Sequence, residues 1–165
     1  MSDKQQLLNE YSAWIGKVKE FAEQEEGFWS TPIAEGKWAV CDVVCHIMRW
    51  DEYFYNEAIA KISTGDALTV RHMDYDTFNE QSRQYAKTLS TEALVDQTIT
   101  AREKLIRAIE ALPETSYELR YTDGDGHPFE VAQFMRDFIW HDNHHLAQLN
   151  QVLQVSKSAI LSRNG

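Results

Sequence analysis

The sequence predicts an all-α protein: a four-helix bundle with a short irregular and partly helical insertion between the second and third long helices. Three observations lead there. Four long segments carry apolar residues at three- and four-residue spacing, no segment shows the alternation of a half-buried strand, and no internal repeat or linker divides the chain. With 165 residues, 43% hydrophobic and 12% aromatic, the chain can build one sizeable core but not two of ordinary size, so a single domain over 1–165 is expected.

The first helix is expected from about Asp3 to Glu26, where Leu7, Tyr11, Trp14, Ile15, Val18 and Phe21 share one face before Gly27 and Pro32 interrupt. The second covers "AVCDVVCHIMRWDEYFYNEAIAKI", with Val40, Val43, Ile47, Trp50, Phe54 and Ala58 on one side, and stops at Ser63-Thr64-Gly65. Next comes the irregular "STGDALTVRHM" and a weaker helical stretch near Asp76 to Thr88; insertions of this length often carry function. Ser90 can cap a third long helix, with Leu94, Thr98, Ala101, Leu105, Ala108 and Leu112 as its apolar seam and Pro113 as its end. "RYTDGDGHPFE" reads as a turn or small hairpin, after which a fourth helix takes Pro128 at its first position and Glu130 in its first turn and runs to about Val155. The residues beyond it are expected to form a fraying or packing tail.

The formal charge of −10 argues against nucleic acid or an anionic membrane as a partner and leaves a small molecule as the default. No apolar run reaches the roughly 20 residues that span a bilayer, and "MSDKQQLLNE" lacks an apolar signal core, so a cytoplasmic location is expected. Cys41 and Cys45, four apart on one helix, are expected to stay reduced thiols.

Chemistry concentrates in "WHDNHHLAQL", Trp140 to Leu149, which holds three of the six histidines. At about 100° per residue, His141 and His145 point to the core side of the fourth helix and His144 lies on its flank. Imidazoles four apart have Cβ atoms about 6 Å apart and can converge on one ion at about 2.0–2.1 Å. On the second helix His46 stands at the edge of the apolar stripe, which supplies a third imidazole, while Cys41 and Cys45 lie on the opposite side. Three histidines with an open fourth position would be a catalytic type of site. A di-iron bundle is excluded, because no Glu stands three residues before any of these histidines. A zincin reading of His141-Asp142-x-x-His145 lacks the downstream ligand. Spacing alone also allows hydrogen-bonded core histidines. His72 and His127 read as ordinary loop and cap residues, and Trp50 and Tyr53 are close enough in register to His46 to line a pocket.

"GKWAVCDVVCHIMRW", followed by the Asn of "YDTFNEQ" and later by "HDNHHLAQL", resembles the DinB-like superfamily, which includes bacillithiol transferases and mycothiol-dependent maleylpyruvate isomerase. The resemblance implies a four-helix bundle with His46, His141 and His145 as a metal triad for a divalent ion such as zinc or nickel. Leu146-Ala147 stands where relatives often carry Arg-Gly before the Gln, so an arginine contact to an anion is lacking at that position.

The function expected is that of a metal-dependent enzyme, a thiol S-transferase or hydrolase acting on a small electrophile. Bound metal can lower the pKa of a water toward about 7 or deprotonate a thiol. Any sulfur nucleophile would come from a low-molecular-weight thiol. Asp142 is a candidate base, a partner to a ligand imidazole, or a buried hydrogen-bonding group. The alternative is a non-catalytic metal-binding or stress-response bundle acting by sequestration or self-association, with helix faces forming a homodimer.

Overall fold

The structure, a computed structural model, describes residues 2–164. Helix α1 (Asp3–Ala22) begins where the Ser2 hydroxyl accepts the Gln5 N–H, with Asp3 in the first turn where the helix dipole favours an anion. It buries Leu7, Leu8, Tyr11, Trp14, Val18 and Phe21. It ends short of the expected Glu26, because Glu23 to Glu26 offer no apolar residue to continue the seam. A separate short helix, α2 (Glu26–Trp29), instead lays Phe28 and Trp29 into the core.

The second long helix comprises α3 (Val40–Phe54), a π-helical turn (Tyr55–Ile59) and α4 (Ala60–Thr64). Ala39 has no acceptor side chain, and Asp42 reaches back to accept the Ala39 N–H at 3.1 Å. The π turn leaves no mark in the apolar spacing: one wide turn interrupts the 3.6 periodicity without breaking the helix. Gly65 closes α4 in the left-handed conformation, φ 76°. Helix α5 (Tyr75–Ala86) starts on Asp74, whose carboxylate accepts the Asp76 N–H.

Helix α6 (Thr91–Glu110) is capped as expected, with the Ser90 hydroxyl accepting the Ala93 N–H at 3.1 Å. Pro113 then leads into a short helix absent from the sequence reading, α7 (Glu114–Glu118), which buries Tyr117. Strands β1 (Tyr121–Thr122) and β2 (Pro128–Phe129) form a two-residue antiparallel hairpin. Pro128 therefore stands in a strand and not at the start of the last helix: the Asp123 N–H donates to His127 O at 2.8 Å and draws Pro128 and Phe129 into pairing. Helix α8 (Val131–Asn164) continues past the expected end at Val155. Among the described residues no helix is long and apolar enough to cross a membrane.

Helix α6 packs against both α1 and α3, α1 also packs against α8, and α5 covers α3, whereas α3 and α8 approach each other at few points. The core has two apolar halves. Tyr11, Ile59, Leu105, Ile109, Phe134 and Met135 belong to one, and Trp14, Phe21, Val43, Ile47, Met48 and Leu149 to the other. Between them lies a charged centre. The α6 seam buries Leu94, Thr98, Arg102, Leu105, Ile106 and Ile109, and leaves the expected Ala101 and Ala108 half-buried, so the helix is turned to bring an arginine inside.

Arg102 is fully buried, and all five of its N–H donors are used. Nε and Nη2 donate to the two Asp51 oxygens at 2.8 and 3.1 Å, and Nη1 and Nη2 donate to the two Asp142 oxygens at 2.8 and 3.2 Å. Nη1 also donates to Tyr11 O at 2.8 Å, and the Tyr11 hydroxyl donates to Asp51 at 3.1 Å. Burial pushes both carboxyls up while the guanidinium pulls them down. One residue from each of α1, α3, α6 and α8 thus meets in a closed network. Arg102→Met would leave two buried carboxylates without their cation, and we expect a loss of about 3–5 kcal/mol of stability, read as a lower urea midpoint.

Candidate functional site

His46 lies on α3 with only 5% of its surface exposed, and His141 and His145 lie one turn apart on α8. The structure brings together the three side chains that the helical wheels selected. His46 Nε2 is 3.1 Å from His141 Nε2, and His145 Nε2 is 3.2 Å from the same atom. The three donor atoms all fall within 4.8 Å of one another.

Hydrogen bonding alone does not account for this arrangement. A ring nitrogen carries either one proton or one in-plane lone pair, so His141 Nε2 cannot make a well-directed hydrogen bond to both imidazoles at once. Two nitrogens 2.0–2.1 Å from a shared ion would be about 3.3–3.4 Å apart in tetrahedral geometry and about 2.9 Å apart at cis octahedral positions, which bracket the observed spacings. The donor set therefore fits a divalent cation. Protonation does not compete at neutral pH. Burial, with the neighbouring His145, pushes His46 down to about 4; burial and the surrounding His145, His46, His144 and Arg102 push His141 down to about 3. Burial also lowers His145. All three are neutral at pH 7, with lone pairs available. Gln148 Oε1 lies 3.2 Å from His145 Nδ1; a proton on Nδ1 donated to it leaves Nε2 free to bind. Among the described residues no hydrogen bond reaches the Nδ1 atoms of His46 and His141, though Asn79, which also lines the cleft, lies near enough to His46 to oppose the effect of burial.

The cluster opens onto a cleft of about 710 Å³, within the usual range for small-molecule sites. Its position follows from the packing, since it fills the gap between α3 and α8. Trp38 stands edge-on to His46 at 5.6 Å, and Trp50 meets it edge-on at 6.4 Å. Phe78 stacks on Trp50 at 4.1 Å and Tyr75 flanks it at 5.9 Å, while Phe138 packs beside His141 at 5.3 Å. Trp50 and Tyr53 do line the pocket, as their register suggests.

Asp142 does not face the cleft; both its oxygens accept from Arg102, which gives it the buried hydrogen-bonding role among those considered for it. His144 is exposed at the rim and stacks in parallel on Trp140 at 5.5 Å. Cys41 and Cys45 are free thiols outside the cleft, and burial pushes Cys45 up to about 12. His72 and His127, which read in the sequence as ordinary loop and cap residues, line the mouth together with Arg71, Asp123 and Asp125. No local pattern marks these residues, because the insertion and the hairpin meet only in the folded chain. The Gly124 N–H donates to Val70 O at 2.6 Å, and the His72 N–H donates to the Asp125 carboxylate.

Three imidazoles from two helices, set beneath an aromatic cleft, define a bundle protein with a metal-centre type of site in its interior. The chain belongs to the DinB superfamily, whose family profile matches residues 5–149. A candidate metal-dependent hydrolase of Bacillus licheniformis is 28% identical over 152 residues, 85% of this chain and 83% of that protein. Among solved structures, the fold resembles YfiT from Bacillus subtilis, described as a probable metal-dependent hydrolase with an unusual four-helix bundle topology. The TM-score is 0.71 at 17% identity, covering 92% of this chain and 86% of that one. It also resembles mycothiol-dependent maleylpyruvate isomerase, with TM-score 0.64 at 14% identity, covering 89% of this chain and 57% of that one.

The junction at the mouth is tight. A Cβ at Gly124 would fall 2.8 Å from both Val70 O and Arg71 Cγ. We expect Gly124→Ala to cost about 1–3 kcal/mol and to speed amide exchange selectively across residues 69–72 and 121–129, read by hydrogen–deuterium exchange. Unchanged exchange there would contradict the docking of hairpin on insertion.

Proposed function

We propose that the protein is a metal-dependent enzyme whose centre is a divalent ion, zinc or nickel, held by Nε2 of His46, His141 and His145. One observation carries this: three neutral imidazoles meet through the same ring atom at 3.1 and 3.2 Å, on the side facing the cleft. A bound ion with three protein ligands and an open position supplies Lewis acidity to a water, a thiol or a carbonyl oxygen. The chain does the rest. Gln148 fixes the ring of His145, Arg102 holds α8 in register through Asp142, and Trp38 and Trp50 form apolar walls that exclude water and grip the body of a substrate.

The reaction is hydrolysis of a small electrophilic molecule or transfer of a low-molecular-weight thiol to it. Cys41 and Cys45 lie outside the cleft, so a sulfur nucleophile would enter with the ligand. Similarity to candidate metal-dependent hydrolases and to a mycothiol-dependent isomerase supports both chemistries. A purely sequestering bundle would be served better by a closed, four-ligand site than by one opening onto a cleft of this size.

Untagged protein supplied with zinc or nickel is expected to hold about one ion per chain by elemental analysis. His46→Ala and His145→Ala should lose it and His144→Ala should keep it; a wild type that takes up no metal would overturn the proposal. Loss of the Gln148 contact should be milder, with Gln148→Ala weakening metal affinity about 10–100-fold in a chelator competition. Turnover is then sought with a panel of electrophiles in the presence and absence of added thiols.

A further inference from the structure

The mouth of the cleft carries one arginine whose side chain has no partner among the described residues. Arg71 lies in the extended stretch between α4 and α5, and this stretch is pinned on both sides of it. The Thr69 N–H donates to Glu57 O in the π turn at 3.0 Å, and the Gly124 N–H donates to Val70 O at 2.6 Å. The Tyr53 hydroxyl accepts the Arg71 N–H at 2.9 Å and donates to Arg71 O at 3.0 Å, clamping both polar groups of its backbone. The Arg71 side chain runs along Gly124, where a Cβ would come within 2.8 Å of its Cγ and 3.1 Å of its Nε. Among the described residues, no side chain or carbonyl accepts a hydrogen bond from the guanidinium, and no carboxylate lies within 4.0 Å of it.

The backbone of Arg71 is held firmly, while its exposed guanidinium stands at the rim of an aromatic cleft with no partner among the described residues, the placement of a group free to bind a ligand's anion. The neighbouring acids refine what it recognises. Asp123 accepts the N–H groups of Asp125 and His127 at 2.9 and 2.8 Å, and Asp125 accepts that of His72, so both carboxylates are engaged in holding the turn. Their charge remains nearby and disfavours a doubly charged phosphate against a singly charged, planar carboxylate that fits the guanidinium fork.

We propose that Arg71 is the anion-binding residue of the cleft, and that the ligand is a small molecule with a flat, apolar body bearing a carboxylate. The body lies among Trp50, Tyr75 and Phe138, and the carboxylate sits on Arg71. This rests on the cleft being the substrate site, and goes beyond it in naming the substrate class.

The test uses phenylacetate, its neutral isostere phenylacetamide, and the cation 2-phenylethylamine, with binding read by tryptophan fluorescence and calorimetry. Wild type, Arg71→Gln and Arg71→Lys are compared, each both chelator-treated and zinc-loaded, after thermal melts confirm folding. In chelator-treated wild type, phenylacetate should bind about 10-fold or more tighter than phenylacetamide; the preference should vanish in Arg71→Gln and return in part in Arg71→Lys. A preference that survives Arg71→Gln, or that appears only with zinc, places the carboxylate elsewhere and overturns the proposal. Tighter binding of 2-phenylethylamine, equal binding of all three probes, or no saturable binding overturns it as well. Zinc uptake is scored separately: an Arg71-dependent preference in protein that takes no metal would sink the metal reading alone, and normal zinc uptake without the preference would sink this one alone.

Discussion

Everything at the site depends on the buried guanidinium of Arg102. Four helices could slide or rotate against one another at modest cost if only apolar side chains met, because hydrophobic contact is not directional. A planar fork with five donors is directional, and here each donor has one acceptor in one place. Asp51 comes from α3, Asp142 from α8 and the Tyr11 carbonyl from α1, so a single residue of α6 fixes the register of the other three. An ion network of this kind is costly to bury and adds little net stability over an apolar core, but it penalises every misregistered alternative in which a charge is left unpaired.

That register is what places the histidines. Asp142 is the chain neighbour of His141, and Asp51 directly follows Trp50, so the network that sets the rotation of α3 and α8 also sets how their imidazoles face. The two helices contact each other sparsely along their length, and packing between them could not do the aiming. Rigid alignment comes from behind, through α6, which packs on α1 and α3. The front stays open, which gives the three-histidine cluster both a fixed geometry and access to a ligand.

The sequence revealed some of this and concealed the rest for identifiable reasons. Helical periodicity located the four long helices, and the wheel angles of His46, His141 and His145 foretold their convergence, because both are local properties read against a 3.6-residue repeat. Arg102 is hidden in the sequence because an arginine in a helix reads as solvent-facing by default. The available signal was its spacing: it falls four after Thr98 and seven before Ile109, in line with the buried seam, while Ala101 and Ala108 merely looked more suitable. Pro128 reads equally as a helix start or an edge strand, because its fixed φ suits both, and only the turn hydrogen bonds decide between them. The mouth is legible only as an insertion long enough to carry function: Arg71 and Gly124 are far apart in the chain, and neither their meeting nor the Tyr53 clamp leaves a local pattern.

The distribution of polar groups along the α3–α8 gap also explains why this side of the bundle can remain open without collapsing. A purely apolar gap between two helices would close by bringing its walls together, since each square ångström removed from water is favourable. Here the floor holds three imidazoles whose nitrogens face one another and would be desolvated without partners if the walls closed on them. The rim is propped by the insertion and the hairpin, joined through Val70 and Gly124. Aromatic side chains line the walls between floor and rim with rigid, flat surfaces, several of them edge-on to one another, which resist interpenetration better than flexible aliphatic chains would. The cleft is therefore a packed structure in its own right, with a polar floor set by α3 and α8, aromatic walls, and a rim that only the insertion and the hairpin together can supply.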